Sequence, residues 1–188
     1  IDYNGAPNSW LHIDYSVVTA ETWLQSAGLE DWVASTLVRH DTRPRTVVSG
    51  RGALVVLRGI NLNPDSDPED MVSLRIWIEP ERIITVRQRK LLSIQAVRDE
   101  FEKGEGPKSV DDLLVGLIEK IGDRIASFVD DMEDRLDGLE TQVESERNTK
   151  TRTTISETRR KIASVRRFLA PQRDALESLY RNSVTASN

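Results

Sequence analysis

The residues best suited to hold a cation are carboxylates, and most of them crowd into one stretch. Asp130, Asp131, Glu133, Asp134, Asp137, Glu140, Glu144 and Glu146 are interrupted by a lone base, Arg135. Carboxylate oxygens suit hard cations and leave water in the coordination shell. Asp130, Asp131, Asp134 and Asp137 are therefore the candidate metal contacts, acting through a hydrated ion that needs no dedicated geometry. A second acidic group, Asp65, Asp67, Glu69 and Asp70, lacks the central glycine and closing glutamate of a calcium loop, and reads as a solvated turn.

Softer metals have less to bind. The chain has two histidines, His12 and His40, and no cysteine. A structural zinc site needs about four converging ligands, usually thiolate or imidazole. No tightly bound cofactor or zinc is expected. His12 lies beside Trp10 in an alternating segment and reads as a partly buried sheet residue, while His40-Asp41 reads as a cap or turn before Pro44. There is no Gly-x-Ser-x-Gly nucleophile motif, no phosphate-binding glycine loop and no Cys-His pair. Nothing in the residues argues for catalysis, and the chain reads as an interaction or assembly domain rather than an enzyme.

The whole chain sets further bounds. Of 188 residues, 38% are hydrophobic and 30% charged, enough apolar material for a core with a heavily charged exterior. The net charge of −5 disfavours general nucleic-acid binding, which needs a basic surface. No run of about 18 apolar residues exists, so no segment reads as a transmembrane helix. The start at Ile1 is read as that of a fragment or processed chain.

These side chains must be carried by two parts with different periodicity, residues 1–107 and 108–188. In the first, Trp10 to Tyr15 alternates apolar and polar, a strand signal. Glu21 to Gly28 and Glu30 to Arg39 read as short helices. Arg45 to Ser49, Ala53 to Ile60, Met71 to Ile78 and Arg82 to Arg87 read as strands, and Leu91 to Lys103 as a helix. The loop Asn61 to Asp70 carries two prolines and joins antiparallel strands at the surface. Strands flanked by helices predict an α+β fold, a mixed β-sheet between helical layers.

The second part is helical. Val110, Leu114, Leu117, Ile121, Ile125, Phe128, Met132, Leu136, Leu139 and Val143 are spaced 4, 3, 4, 4, 3, 4, 4, 3, 4, an 11-residue repeat beginning at Val110. That period is close to a straight helix. The spacing predicts one helix from Ser109 to Arg147, with Ser109 and Asp112 resembling a capping box. A polar break around Asn148 to Thr153 should precede a second helix striped by Ile155, Thr158, Ile162, Val165, Leu169, Leu176 and Leu179. Pro171 should kink that helix or break it. Its first half is basic, with Lys150, Arg152, Arg159, Arg160, Lys161, Arg166, Arg167 and Arg173 against Glu157 alone. The two helices should fold back as a long antiparallel hairpin with complementary rims. Two solvated faces, contributing about 0–1 kcal/mol per exposed pair, are the plainer reading of the same charges.

Several stretches resemble one family. His40-Asp41-Thr42-Arg43-Pro44-Arg45, ahead of a strand, is similar to the His-x-Arg-Pro-Lys region of CorA-type transporters. Leu57-Arg58-Gly59-Ile60-Asn61-Leu62-Asn63-Pro64, then Asp67-Pro68-Glu69-Asp70-Met71-Val72-Ser73, resembles the ZntB-like zinc branch. Val165-Arg166-Arg167-Phe168-Leu169-Ala170-Pro171-Gln172-Arg173-Asp174 resembles that family's second long helix, which also carries a proline. The resemblance runs from about Trp10 to Leu179.

The resemblance implies an αβα sandwich followed by the hairpin. It further implies a stalk helix, a pore segment ending in Gly-Met-Asn and a second membrane segment, none of which lies in these residues. It implies a homopentamer at the cytoplasmic face of the cell inner membrane, attached through those C-terminal segments. Zinc, with magnesium as the other option, would be transported rather than held as a cofactor. A Glu-Asp pair that serves the magnesium branch as an intersubunit sensor falls here at Ser35 and Thr36, which favours the zinc-like branch. The alternative is a freestanding soluble scaffold whose hairpin binds another helical protein.

Overall fold

The computed structural model describes residues 9–17, 19–40, 43–145 and 149–186. Five strands, β1 (Ser9–Asp14), β2 (Arg45–Ser49), β3 (Gly52–Gly59), β4 (Val72–Glu79) and β5 (Arg82–Arg87), form one sheet in the order β1-β5-β4-β3-β2. Neighbours from β2 to β5 are antiparallel, and β1 adds to β5 in parallel, with Trp10 opposite Ile83 and His12 opposite Thr85. The sheet is therefore mixed, as the sequence predicts.

Both faces of the sheet are covered, which explains why Ala53 to Leu57 is continuously apolar rather than alternating. Side chains along a strand point to opposite faces in turn. Leu54, Val56, Trp77, Ile84 and Val86 face Leu24 of α1 (Ala20–Ser26) and Val33 and Leu37 of α2 (Asp31–Leu37). Val55, Leu57, Leu74, Ile76 and Ile83 face Ile94 and Val97 of α3 (Leu92–Glu102) and the start of α4 (Val110–Ser145). A slip of one residue in register would exchange the two sets, so the register is held by both cores at once.

α4 starts where Ser109 caps it, its Oγ accepting from the Asp112 N–H at 3.0 Å. Asp111 and Asp112 in the first turn suit the positive end of the helix dipole. The helix has 36 residues, about 54 Å at 1.5 Å per residue. Its buried face is broader at the root than the 11-residue stripe. Leu113, off the stripe, is as fully buried as Val110, and Ile118 also packs into the core. Here the sheet, α3 and α5 all press on the helix, so a wider arc is covered. Ser93 on α3 adds a tie, its Oγ donating to the Lys120 carbonyl at 3.0 Å.

α5 runs from Thr149 to Ala186. The expected polar break is thus shorter than the composition suggests, since residues 149–153 are already helical. Thr153 and Thr154 donate back to the carbonyls of Thr149 and Lys150, at 3.3 and 3.1 Å, which satisfies their hydroxyls within the helix. Residues 146–148, including the expected helix end at Arg147, lie outside the described residues. The helix continues through Pro171 with no break. Gln172 and Ala175 are buried, positions the predicted stripe omits, because α5 also lies over β2 and β3. The Thr46 hydroxyl donates to the Ala175 carbonyl at 2.6 Å, and the Arg58 N–H donates to Gln172 Oε1 at 2.7 Å. At Gly59 a Cβ would come within 2.7 Å of Leu91 Cδ1, so a larger residue at the end of β3 would force Leu91 to shift.

The α4 root should carry the stability of the whole chain. Leu117 is fully buried, and truncating such a leucine to alanine costs about 2–5 kcal/mol. Leu117→Ala should therefore lower the melting temperature clearly, whereas the exposed Glu119→Ala should leave it nearly unchanged. Differential scanning calorimetry of the two variants checks this, and equal effects would mean that the helix faces have been misassigned.

Candidate functional site

The long hairpin of α4 and α5 carries most of the candidate residues. Glu133 and Glu140 sit seven residues apart, about two turns, and so share a face. That face meets α5: Glu133 pairs with Arg166, and Glu140 Oε1 lies 2.6 Å from Arg159 Nη2. The complementary rims predicted from sequence do meet. Their side chains are nonetheless about half exposed, from 44% to 63%, so each pair contributes about 0–1 kcal/mol. Their effect is on which faces meet rather than on total stability.

Asp130, Asp131, Asp134 and Asp137 are all exposed, and none makes an ion pair among the described residues. Asp130, Asp134 and Asp137 follow the i, i+4, i+7 spacing and share one strip beside the Glu133 face, and Asp131 lies off it. Among the described residues no group of three or more histidine, aspartate or glutamate side chains is disposed to hold a metal ion directly.

The two histidines sit in different hydrogen-bonded settings. His40 is exposed, with Nδ1 3.2 Å from Gln88 Nε2 and its ring edge-on to Tyr15. Asp41, its partner in the expected turn, lies outside the described residues. In the other acidic group, Glu69 lies 3.5 Å from Lys161 of α5, and Asp70 Oδ2 lies 2.7 Å from Arg89. That loop is thus tied to the second helix rather than fully solvated.

His12 belongs to a network that sequence reading did not assemble. Arg87 Nε–H can only donate, and it reaches His12 Nε2 at 2.9 Å. Nε2 is therefore the acceptor, and the ring proton is on Nδ1, donated to Thr85 Oγ1 at 2.8 Å. Thr85 Oγ1 also accepts from Trp10 Nε1 at 2.8 Å. Protonating His12 would turn an N–H toward a guanidinium. Burial, then the charges of Arg87 and Arg98, push its pKa down to about 4. Asp14 completes the row: burial raises its carboxyl, but two hydrogen bonds from Ser16 and Arg87 at 3.1 Å hold it below its ordinary value. The parallel pairing of β1 with β5 puts these residues side by side. The nearest signal in the sequence is that Trp10, His12 and Asp14 alternate on one face, as do Thr85 and Arg87.

Ser35 and Thr36 both turn their hydroxyls onto the Trp32 carbonyl, at 3.0 and 2.7 Å, and so serve α2 internally. No helix among the described residues is long and apolar enough to cross a membrane.

The described residues form an αβα sandwich extended by a long two-helix hairpin, and this architecture recurs in known proteins. The CorA-like Mg2+ transporter protein family matches residues 6–188. The chain belongs to this family. It is 39% identical over 175 residues to the divalent cation transporter CmaX of Pseudomonas aeruginosa, covering 92% of this chain and 53% of CmaX. It is 32% identical over 171 residues to the zinc transport protein ZntB of Yersinia enterocolitica, covering 90% of this chain and 52% of ZntB. It superposes on the crystal structure of the ZntB cytoplasmic domain from Vibrio parahaemolyticus with a TM-score of 0.85 at 26% identity, covering 95% of this chain and 71% of that one. The chain spans about half the length of the curated relatives it matches.

The His12 network should make stability depend on pH with a definite sign. The folded pKa, about 4, is below the ordinary 6.5. Between these values the unfolded chain binds the proton and the folded chain does not. The contribution is therefore full well above pH 6.5 and is lost as pH falls toward 4, by about 3 kcal/mol. Asp14, whose carboxyl is also lowered, extends the loss to still lower pH. Urea unfolding between pH 7.5 and 4.5 should show it. His12→Gln, whose amide oxygen can accept from Arg87 without titrating, should flatten that part of the profile.

Proposed function

We propose that this chain is the cytoplasmic domain of a divalent-cation transporter, with zinc as the preferred ion and magnesium as the alternative. In this role it forms part of an intracellular funnel and passes conformational change to a pore carried elsewhere in the polypeptide. The observation that carries the reading is the superposition on the ZntB cytoplasmic domain over 95% of this chain. The relatives' names, a divalent cation transporter and a zinc transport protein, support the class of cargo. The hydroxyls at positions 35 and 36, engaged within α2, support a sensor unlike the carboxylate pair of the magnesium branch.

The geometry suits coupling. α4 is anchored in the core at its root, and α5 is hydrogen-bonded to β2 and β3, so the root of the hairpin moves with the sheet. Asp130, Asp134 and Asp137 supply a negative strip, with Asp131 beside it, that gathers hydrated divalent ions without stripping their water. The working state is a homopentamer in the membrane.

Transport is tested on the longer protein that contains this chain, reconstituted in liposomes with a zinc-sensitive dye inside. Zinc uptake is expected, with magnesium uptake the other supporting outcome. A protein that inserts and assembles but moves neither ion would sink the proposal.

Three outcomes are expected of the chain alone. Light scattering coupled to size exclusion should give a monomer or small oligomer, and a clean pentamer at micromolar concentration would show that these residues carry the fivefold contacts. Equimolar zinc should leave the melting curve unchanged, because a nanomolar site would stabilise the fold by RT ln(1 + [L]/Kd) and be conspicuous. Millimolar magnesium or zinc should give a modest, salt-sensitive shift that shrinks when Asp130, Asp134 and Asp137 are changed together to asparagine. Calorimetry showing one stoichiometric zinc at submicromolar affinity would overturn the outer-sphere assignment.

A further inference from the structure

A cleft of about 440 Å³ opens where the start of β2, the end of β3 and the middle of α5 come together. That volume is within the range of small-molecule sites, roughly 300–1,000 Å³. Its wall carries Arg43, Arg58 and Arg167, with Phe168, Pro171 and Asp70 between them. Arg58 is held in place. Its Nη1 donates to the Met71 carbonyl at 2.9 Å, and its Cζ stands 5.1 Å from the centre of the Phe168 ring. Arg167 stacks on the same ring with its Cζ at 4.7 Å. One aromatic ring thus holds two guanidiniums at the mouth of one cavity.

Guanidiniums repel one another, and the local carboxylate is already engaged. Asp70 Oδ2 is bound by Arg89 at 2.7 Å. Among the described residues, neither Arg43 nor Arg167 makes an ion pair with a carboxylate. Behind them, Arg75 is buried on β4, and burial followed by the Arg58 charge lowers its pKa. All this positive charge is gathered in a chain whose net charge is −5. Planar guanidinium forks match tetrahedral oxyanions two bonds at a time, which a halide cannot exploit.

We propose that this cleft binds a diphosphate group, either free or as the tail of a nucleoside diphosphate, with Arg43 and Arg167 closing on a phosphate that Arg58 orients. The inference is independent of whether the chain serves in transport.

The test is isothermal titration calorimetry of the 188-residue chain with sodium diphosphate and, separately, with ADP. Both titrations are run without divalent metal and at constant ionic strength set with sodium chloride. Saturable binding at one site per chain is expected from diphosphate. Tighter binding of ADP would show that the rest of the cleft accepts a nucleoside, and equal affinity would show that the diphosphate group alone is read. Arg43→Gln and Arg167→Gln should each weaken binding at least about tenfold, the scale of a lost charge-assisted hydrogen bond. Both side chains are exposed, so the unliganded variants should melt at or above the parent temperature once like charges are removed. The absence of saturable binding to either ligand would overturn the proposal, as would unchanged affinity in both variants. Loss of binding together with a melting temperature lowered by several degrees in both variants would assign these arginines to the fold and overturn it equally.

Discussion

The root of α4 is gripped from two sides, and the rest of the molecule is arranged around that grip. Leu117, Ile121 and Ile125 are buried in the same cluster as the sheet residues Leu74, Ile76 and Ile83 and the α5 residue Val165. Each such side chain contributes about 1.5–3 kcal/mol by leaving water. Further along, Met132, Leu136, Leu139 and Val143 are only half-buried and lie outside the buried cluster that the sheet shares with the root. One continuous helix therefore passes from a heavily constrained setting to a lightly constrained one. Local opening is easiest where buried contacts are few, so the far half of the hairpin is the part most readily displaced. The backbone hydrogen bonds of both helices keep such a displacement from dissipating within a turn or two.

The charges along the hairpin do not serve the individual helices. A helix C-terminus carries about half a negative charge, and acidic residues near it are unfavourable by roughly 0.3–1 kcal/mol. α4 places its acidic run in its C-terminal half, and α5 places Lys150 and Arg152 in its first turn, against the positive end. Where the runs reach the helix ends, at Glu144 in α4 and at Lys150 and Arg152 in α5, they oppose the local dipole, which is felt only within a turn of the end. They make sense only between helices, where antiparallel packing sets acid against base, as in Glu133 with Arg166 and Glu140 with Arg159. Glu133 and Glu140 are paired in this way, and the strip of Asp130, Asp134 and Asp137 is left unmatched on the same helix. That strip is the feature of the hairpin that pairing with α5 does not account for.

Periodicity in the sequence was enough for the elements and for the hairpin, because strand and helix periods depend only on which residues leave water. Element order, the double-faced sheet and the acid–base rims were all legible on that basis. What stayed hidden depends on contacts between distant segments. Leu113 looks like an off-stripe leucine until the sheet is placed beside α4. Gln172 reads as a polar residue following a proline until the Arg58 N–H is brought within 2.7 Å of it. The break expected at Asn148 to Thr153 was an inference from polarity, and residues 149–153 are nonetheless helical because threonine hydroxyls can be satisfied by the carbonyl one turn back. The carboxylate candidates are exposed, yet composition could not separate the members that face α5 from those that do not.

The same limit governs the polar residues inside the fold. His12, Thr85 and Trp10 lie on strands that neighbour each other only because β1 returns to pair in parallel with β5, more than 70 positions away. Parallel pairing demands a long crossover, and here the crossover is the rest of the sandwich, both α1 and α2 and the whole antiparallel meander. β1 can therefore dock only after β5 exists. Each polar atom of the network constrains its neighbour: Arg87 fixes the histidine tautomer, the tautomer fixes what Thr85 accepts, and Thr85 fixes the Trp10 indole. An edge strand held by such a chain of directional bonds is registered more strictly than apolar packing alone would require. In this arrangement β1 closes one edge of the sheet while α5 lies over β2 and β3 at the other, which leaves the hairpin as the part that projects beyond the sandwich.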